Sequence, residues 1–531
     1  MLPALPAEDA ATVADPATRT GPAKAWRWSL LPPPRLWHHA RSLEPARDTQ
    51  ATAPRTWGWL ALLTAVAAAV RAIGLNQQLW YDEILTLVEF VRLPLAQIVA
   101  SYSSQNQHML FSVLARLSVV AFGEAPWSLR LPAALLGVAC VPALYFCARQ
   151  LTSRFEALSA SALLAVSYHH VWFSQSARGY TGLALAAIAT THLFARATRG
   201  GGLGSWLAFG VVGALGMAVH LSMGFILAGQ GLAYGWRLLA LRRTAGGWPA
   251  EAWGAAAGFA LVGALGVTLY APVLRALWSG TVGAARETVP SEWTNPVWFL
   301  LEILRGLARG AGTAGLAAVA LAGALTGTGA WSYWRQDRHA LGLIVLPCAV
   351  TAAAMLALSR NLWPRFFFFA IGFAIMFLVR GAVVWAGAAA RAAGRPARAR
   401  AWGGALVALL AAGSAWQTRT AVAHPKQDFR GAMAYVDAER REGDAVVVLG
   451  LAALPYRRYY GRDWPQVESA QELRAVQASS RRVWALYTLP IQLQSRAPGL
   501  WSALREGFET QRVFRGTMGG GEVVVLRSGE S

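Results

Sequence analysis

The sequence predicts a polytopic α-helical membrane protein that ends in a small α/β domain. Of its 531 residues, 55% are hydrophobic and only 14% are charged, a composition typical of chains that cross the bilayer several times. Apolar runs close to the length of a membrane-spanning helix recur from residue 57 onward. After residue 420 charged residues become more frequent, and strand-like and helix-like segments alternate. We therefore divide the chain into a tail over 1–56, a membrane region over 57–420 and an α/β domain over 421–531.

The tail is rich in proline, alanine and arginine and has no compact apolar core before Trp57. It does not have the pattern of a signal peptide, so we expect a flexible, basic, cytoplasmic segment. The formal net charge of +21 comes almost wholly from arginine, since the only lysines are Lys24 and Lys426. Most arginines lie in short loops between apolar runs, which favours membrane orientation over nucleic-acid binding. The three cysteines, all in apolar segments, offer no disulfide framework or metal-ligand spacing.

The apolar runs predict eleven membrane spans. They lie near 57–75, 130–149, 155–172, 180–196, 204–219, 222–240, 254–276, 311–330, 340–358, 364–385 and 402–418. If the N-terminus is cytoplasmic, alternation places every strongly basic short loop on the cytoplasmic side, as the positive-inside rule requires. The α/β domain then lies outside the cell membrane.

This topology requires that the segment 107–122 does not cross the membrane. The segment is short for a span, and His108, Ser112 and Arg116 recur every four residues on one face of a helix. A polar stripe opposite leucine and phenylalanine is typical of a helix lying in the interface. The segment 84–100, interrupted at Pro94, is a second such helix. In the alternative, 107–122 spans the membrane and every later loop is reversed.

The C-terminal domain alternates between helix and strand patterns. We predict helices over 427–441, 471–478 and 501–506, buried strands over 445–449 and 482–486, and a hairpin over 513–527 around Gly519, Gly520 and Gly521. Neither a GxGxxG motif nor a P-loop follows a strand in this domain, so nothing supports nucleotide binding.

Asp82 and Glu83 are the first candidates for chemistry. They follow Trp80 and Tyr81, just past the first apolar run. Two charges at the rim of a membrane helix are costly to desolvate, so their usual place is a water-filled cavity. There they could supply a base, or a metal ligand, to a lipid-borne substrate. The competing interpretation is a solvated acidic cap outside the bilayer.

Several other polar residues fall in loops on the same side. They are Asn106, Gln107, His108, Gln175, Arg178, Tyr180, His220, Glu287, Glu292, Arg360, Asn361 and Arg365. The outer arginines break the positive-inside trend, and an arginine beside water at a helix end suits a phosphate oxyanion. Each could instead be a snorkelling side chain or a structural partner of the two carboxylates. A divalent ion on Asp82, Glu83 and a histidine is a further alternative, although no short ligand spacing supports it.

In their order, these motifs resemble those of the bacterial GT-C glycosyltransferases, most closely the protein O-mannosyltransferase and aminoarabinose transferase branch. The resemblance covers most of residues 57–390. The matching residues are Trp80-Tyr81-Asp82-Glu83, Asn106-Gln107-His108-Met109-Leu110, Phe122-Gly123-Glu124, Ser128-Leu129-Arg130-Leu131-Pro132, Gln175-Ser176-Ala177-Arg178-Gly179-Tyr180, His220 and Trp363-Pro364-Arg365-Phe366. The prolines that follow the histidine in many family members are missing after His108, so this loop can differ in shape.

The resemblance implies that Asp82 is the catalytic carboxylate and that the donor carries its sugar on a polyprenyl phosphate. Asp82 would be the general base for an acceptor hydroxyl, and Glu83 would orient it or bind a divalent ion (Mg²⁺, Mn²⁺ or Zn²⁺). Donor phosphate would be bound by Arg178 and Arg365, with Arg360 and Tyr180 as secondary contacts. Substrate or metal contacts would come from Asn106, Gln107, His108 and His220.

The expected setting is a bacterial plasma membrane, with the reaction on its outer face. The expected partners are membrane lipids, the lipid-linked donor and an acceptor protein, lipid or glycan. A flippase for lipid-linked sugars is an alternative, although it predicts internal repeats, which the sequence does not show. A scaffold for envelope assembly is another, and it predicts that the membrane site is dispensable.

Overall fold

The computed structural model describes residues 54–104, 106–245, 248–249, 251–279, 295, 297–298, 301–302, 304–305, 314–358 and 362–530. The predicted tail lies outside the described residues, apart from positions 54–56, which begin the first helix.

Most of the described residues in each of the eleven apolar runs are helical, although not every run forms one continuous helix. The long helices are Pro54–Ala72, Pro126–Arg149, Arg154–Ala165, Tyr180–Arg196, Gly202–Val219, Met223–Ala245, Glu251–Tyr270, Ala314–Gln336, Arg338–Ala357, Ile371–Ala392 and Ala399–Ala423. Shorter helical segments are Tyr81–Thr86, Leu87–Val91, Leu95–Ala100, Met109–Phe122, Tyr168–Ser174, Ala197–Gly201, Ala271–Val273, Leu274–Trp278, Pro364–Ala370 and Pro396–Arg398. The membrane helices pack around a shared core of leucine, alanine and aromatic side chains.

Among the residues that the structure describes, five stretches are long and apolar enough to cross a membrane. They are Pro126–Arg149, Tyr180–Val219, Glu251–Trp278, Arg338–Ala357 and Pro364–Ala392. This is the architecture of a membrane protein, while the count of eleven spans and the direction of the chain stay predictions.

The predicted run 155–172 is not one continuous helix. A first helix ends at Ala165 and the next begins at Tyr168. The carbonyl groups freed by this break are bound by Arg71 of the first span, which donates to the oxygens of Leu164 at 3.3 Å and Ala165 at 2.9 Å. A buried arginine thus supplies the hydrogen bonds that an interrupted helix loses inside a membrane domain.

The helix Met109–Phe122 has its polar stripe turned toward the protein. His108 and Ser112 are buried, whereas Leu117 and Val120 are 49% and 65% exposed. Of the apolar residues predicted to lie opposite this stripe, Leu117 is exposed, Leu110 and Leu114 are half-buried and Phe111 is fully buried, so only part of the apolar face remains uncovered. The exposed apolar face is what a helix in contact with lipid presents.

The C-terminal domain contains a five-stranded sheet. The strands are β1 (Asp444–Leu449), β2 (Gln466–Val467), β3 (Arg482–Thr488), β4 (Phe508–Phe514) and β5 (Val523–Ser528), in the order β2-β1-β3-β5-β4. β1 pairs in parallel with β2 and β3, and β5 is antiparallel to β3 and β4. Its helical segments are Phe429–Glu439, Gly450–Ala452, Leu454–Tyr459, Ala470–Ala478, Pro490–Arg496 and Pro498–Gly507.

The predicted strands and hairpin of this domain are confirmed, but four elements were missed, namely β2, the helix Pro490–Arg496 and the short helical segments Gly450–Ala452 and Leu454–Tyr459. β2 has only two residues, too few to show an alternating pattern, and the helix Pro490–Arg496 is a single short segment after β3. The domain packs against the loop between the first two long helices, residues 73–125, called here the Asp82 loop. One apolar cluster contains Ile84 and Leu87 of this loop together with Phe429, Tyr456 and Trp484 of the domain. The loop that carries Asp82 is therefore covered by the C-terminal domain.

Candidate active site

Asp82 lies in the first turn of the helix Tyr81–Thr86, called here the Asp82 helix. The residue before this helix, Trp80, has no side-chain oxygen to cap the free amides of the first turn. The amide of Tyr81 donates instead to Oε1 of Gln427 at 2.8 Å. The Asp82 side chain is 14% exposed and forms an ion pair with Arg365, with 3.3 Å between Oδ2 and Nη1. Asp82 is thus a partly exposed carboxylate beside a guanidinium group.

Arg365 is held by aromatic side chains as well as by Asp82. It belongs to the short helix Pro364–Ala370. The centre of its guanidinium group lies 5.1 Å from the ring centroid of Trp363 and 5.9 Å from that of Phe366. Contact with ring faces orients a planar guanidinium group, a role that an ammonium group would fill less well.

Arg178 is connected to the Asp82 helix through Asn106. Its Nη1 donates to the main-chain oxygen of Asn106 at 3.2 Å and also to the side-chain oxygen Oδ1. The amide Nδ2 of Asn106 lies 3.4 Å from the main-chain oxygen of Asp82. Three predicted site residues from two separate loops are therefore joined in one network.

Gly179 allows these loops to approach closely. A Cβ atom at this position would lie 2.3 Å from the main-chain oxygen of Val219 and 3.3 Å from Cγ of His108. Any larger residue would push apart the loops that carry Arg178, His108 and His220.

His108 and His220 form a buried aromatic cluster with Tyr180. The two imidazole ring centroids are 4.4 Å apart, and the Tyr180 ring lies 5.8 Å from His108 and 5.1 Å from His220. Burial lowers the pKa of His108 well below its ordinary value, and the charges of Arg178 and Arg365 lower it further. Burial and the same two arginines lower the pKa of His220 to about 3. Both histidines are therefore neutral at physiological pH and suited to hydrogen bonding rather than to carrying charge.

Three side-chain nitrogen atoms of the predicted site residues are buried without a hydrogen-bond partner among the described residues. They are Nε of Arg178, Nε of Arg365 and Nε2 of His108. Buried polar groups in proteins are nearly always satisfied, so such atoms commonly mark a place that a ligand or water fills. Two guanidinium N–H donors with positive charge suit the oxygens of an anionic group such as a phosphate.

Glu83 points into the protein and binds Arg130. Nε and Nη2 of Arg130 lie 2.7 and 2.6 Å from the two carboxylate oxygens. The same oxygens accept the backbone amides of Ala177 at 2.7 Å and Trp80 at 3.2 Å. Burial alone would raise the pKa of Glu83, but the charges of Arg130 and Lys426 together lower it below its ordinary value.

These four hydrogen bonds bear on the divalent ion considered from the sequence. Both oxygens of Glu83 are occupied and the side chain has no exposed surface, so the residues do not fit an ion bridging Asp82 and Glu83. No group of three or more histidine, cysteine, aspartate or glutamate side chains that could hold a metal occurs within the described part of the chain.

The remaining predicted residues have mixed positions. Gln107 is buried, and its Nε2 donates to the main-chain oxygen of Ile98 at 2.8 Å, so one end of its amide holds the neighbouring helix. Arg360 and Asn361, together with Glu287 and Glu292, lie outside the described residues.

Sequence reasoning missed three residues that organise the site, namely Arg130, Lys426 and Gln427. Arg130 is the first residue of the second predicted span, at its predicted outer end, so it breaks the positive-inside trend in the same way as Arg178. Lys426 is one of only two lysines in the chain. It is buried, donates to the main-chain oxygen of Gln175 and lies 4.9 Å from the ring centroid of Trp172. Nothing in the sequence signals Gln427.

Comparison with known proteins bears on the fold and on the class of protein. Residues 107–274 match the family model described as dolichyl-phosphate-mannose-protein mannosyltransferase. ArnT from Cupriavidus metallidurans in the apo state has a TM-score of 0.51 and 12% sequence identity, covering 89% of this chain and 98% of that chain. The apo oligosaccharyltransferase of Archaeoglobus fulgidus has a TM-score of 0.52 and 11% identity, covering 86% and 73%. No curated protein sequence matches significantly.

The chain has the GT-C fold. At 11–12% identity the structural likeness shows the fold alone. The GT-C fold and the family match together indicate a glycosyltransferase, and the resemblance to GT-C glycosyltransferases inferred from the order of the motifs is confirmed. The family match begins at Gln107, so it includes His108, Arg178 and His220 but neither Asp82 nor Arg365.

A third structure of this fold contains a lipid phosphate. It is the archaeal oligosaccharyltransferase AglB from Archaeoglobus fulgidus in complex with an inhibitory peptide and a dolichol-phosphate. It has a TM-score of 0.51 and 12% identity, covering 86% of this chain and 72% of that chain.

Proposed function

We propose that this protein transfers a sugar from a polyprenyl-phosphate donor to an acceptor hydroxyl at the outer face of the bacterial plasma membrane. The observation that carries the proposal is the ion pair of Asp82, a partly exposed carboxylate, with Arg365, together with the link from Asp82 through Asn106 to Arg178. The Nε atoms of both arginines have no partner among the described residues. One site thus offers a proton acceptor and two donors for an anionic leaving group.

A phosphate leaving group is complementary in charge to Arg178 and Arg365. Departure of the lipid phosphate concentrates negative charge on its oxygens, and prepositioned guanidinium groups in a water-poor site stabilise such charge strongly. The dolichol-phosphate bound to the related fold of AglB supports this class of donor. The family description of residues 107–274 also names a dolichyl-phosphate sugar.

Asp82 supplies the acid–base function. The acceptor hydroxyl gives its proton to the Asp82 carboxylate as its oxygen forms a bond to the anomeric carbon. The bond from that carbon to the phosphate oxygen breaks, and the phosphate leaves with the electron pair toward Arg178 and Arg365. Arg365 then interacts with the departing phosphate as well as with the Asp82 carboxylate, which it already contacts.

The neighbouring residues hold this arrangement together. Asn106 joins Arg178 to the Asp82 helix. The neutral imidazoles of His108 and His220 lie beside Tyr180 and provide hydrogen-bonding surfaces for the sugar or the acceptor. Glu83 acts through Arg130 as a support for the loop rather than as a group in contact with substrate.

The test is sugar transfer by purified protein. The donor is polyprenyl-phosphate mannose with a radiolabelled sugar, and the acceptor is an envelope fraction from cells lacking the protein. Asp82→Asn keeps the size of the side chain but removes the proton acceptor, so we expect transfer to fall by about 10²–10⁴-fold. Asp463→Asn, an exposed aspartate of the C-terminal domain, is the matched control and should transfer normally.

Two outcomes would contradict the proposal. Transfer by Asp82→Asn at the wild-type rate would remove Asp82 from the chemistry. Movement of the lipid-linked sugar across vesicles without cleavage of the sugar–phosphate bond would make the protein a flippase.

A further inference from the structure

The segment that joins the membrane region to the C-terminal domain is unusually well bound to the Asp82 loop. It follows the last membrane helix, Ala399–Ala423, and precedes the helix Phe429–Glu439. Within it Gln427 has no exposed surface and Lys426 is 6% exposed. Linkers between independent domains are normally exposed and polar, with few contacts, so this one has a different role.

Gln427 caps the Asp82 helix from a position 346 residues later in the chain. Its Oε1 accepts the amide of Tyr81, the residue directly before Asp82. Its Nε2 donates to Oγ1 of Thr488, at the end of β3, and to the main-chain oxygen of Gly521, both at 3.0 Å. Because both acceptors of the Nε2 group belong to the C-terminal domain, that domain determines where Oε1 points.

A second glutamine makes the reciprocal contact. Gln78 donates from Nε2 to Oδ1 of Asp428 at 2.7 Å and accepts the amide of Arg430 at its Oε1 at 3.0 Å. Asp428 caps the helix Phe429–Glu439, since its Oδ1 accepts the amide of Gly431 at 2.9 Å. Each of the two regions thus satisfies the free amides at the start of a helix in the other.

The Asp82 helix depends on these contacts because it is short. It continues directly into the π-helical segment Leu87–Val91, and even together the two segments are shorter than a helix that is stable without tertiary contacts. The cap on the first amide lies one residue before the carboxylate. A shift of about 1 Å in a reacting group can lower a rate by about 10²-fold.

We propose that Gln427 is a positioning residue through which the C-terminal domain fixes the direction of the Asp82 carboxylate. The proposal rests on the role of Asp82 proposed above. It assigns the C-terminal domain a part in sugar transfer that needs no contact between that domain and the donor.

The test replaces the amide and follows both transfer and local order. Gln427→Met keeps the length of the side chain and removes all three hydrogen bonds. We expect kcat for transfer to fall about 10–100-fold while KM for polyprenyl-phosphate mannose changes less than about twofold. We also expect faster hydrogen exchange of the amides in residues 81–86, with unchanged exchange in the long membrane helices. A structural role in overall folding would not separate kcat from KM in this way.

Gln471→Met is the matched control, because it makes the same change at an exposed position of the same domain. It should leave kcat, KM and exchange at wild-type values. If Gln427→Met does not fold, Thr488→Val decides, since it removes only one acceptor of the Gln427 amide. The expected result is then a smaller change in the same direction.

The proposal is overturned if a folded Gln427→Met protein keeps wild-type kcat and wild-type exchange in residues 81–86. The exchange measurement requires no activity. An absence of transfer by the wild-type protein would therefore refute the proposed function, while exchange in the variant still tests the link between Gln427 and the Asp82 helix.

Discussion

Arg365 connects the Asp82 carboxylate with the part of the site that is proposed to bind phosphate. It binds the Asp82 carboxylate, lies against the ring faces of Trp363 and Phe366, and has one buried N–H without a partner among the described residues. Arg178 resembles it, because it binds Asn106 through Nη1 and also has an unpartnered Nε. In both residues these contacts depend on the planar arrangement of the guanidinium N–H groups and not only on the positive charge.

Lysine should therefore replace these arginines poorly. Because an ammonium group cannot reproduce the fork, we expect Arg178→Lys and Arg365→Lys to lose most of the donor affinity lost in the alanine variants. The loss should be about 1.5–3 kcal/mol for each residue, the value of a charge-assisted hydrogen bond. Titration of each purified variant with polyprenyl phosphate measures it. Unchanged affinity in both alanine variants would mean that the arginines are structural.

The neutral histidines predict how stability depends on pH. His108 and His220 have lowered pKa values in the folded protein, about 3 for His220, whereas histidines of the unfolded chain protonate near pH 6.5. Between these values the unfolded state binds more protons, so stability falls as the pH is lowered from about 6.5 toward 3. The loss is at most about 1.4 kcal/mol per pH unit for each histidine.

Melting temperatures in detergent from pH 7.5 to 4.5 test this expectation. His220→Gln should show a shallower decline than wild type, since it removes one titrating group. The exposed His424 serves as the control, and His424→Gln should follow the wild-type curve. Identical slopes for wild type and His220→Gln would contradict the assignment.

At the scale of elements, the Asp82 loop is held by a buried ion pair. Besides binding Glu83, Arg130 donates to the main-chain oxygens of Leu75, Gln77 and Gln78 at 2.8–3.0 Å. One side chain of the helix Pro126–Arg149 thus fixes the turn after the first span and, through Glu83, the start of the Asp82 helix.

Removing only one partner of this ion pair should destabilise the protein strongly. Arg130→Met removes the ion-pair partner of the buried Glu83 carboxylate, which costs about 3–5 kcal/mol of stability. The double variant Arg130→Met with Glu83→Gln removes that charge and should recover part of the loss. Thermal unfolding of the single and double variants measures the recovery. A double variant no more stable than Arg130→Met would show that the pair is not the main support of the loop.

At the scale of the whole molecule, the length of one helix bears on the topology. Met109–Phe122 has 14 residues, or about 21 Å at 1.5 Å per residue, whereas the hydrocarbon core is about 30 Å thick. A helix of this length favours the interfacial interpretation, which keeps the basic loops on one side. The exposed leucine and valine of this helix agree with contact to lipid.

Accessibility labelling tests the predicted orientation. In a variant without the three natural cysteines, single cysteines at Arg242, Arg335 and Arg395 should resist a membrane-impermeant reagent applied from outside. Cysteines at exposed positions of the C-terminal domain, such as Gln471 and Glu468, should react. Labelling from outside at position 395 would contradict the predicted topology. The loops predicted to lie outside would then not be on the outer face.

The sequence by itself determined the helical membrane region, the α/β domain and several residues of the proposed site. Apolar runs and alternating strands are local patterns, because burial acts on neighbouring residues with a fixed period. Asp82, Arg178 and Arg365 were recognisable because a charge beside a membrane span is costly and needs a reason.

Only the tertiary structure decided how these groups are held. Gln427 meets Tyr81 across 346 residues of sequence and Arg130 meets Glu83 across 47, and hydrogen bonds over such separations leave no periodic trace. The break after Ala165 is equally hidden, since it depends on Arg71 reaching carbonyl groups of another helix. Hydrophobic patterning selects the elements, whereas satisfaction of buried polar groups by distant partners selects the geometry of the site.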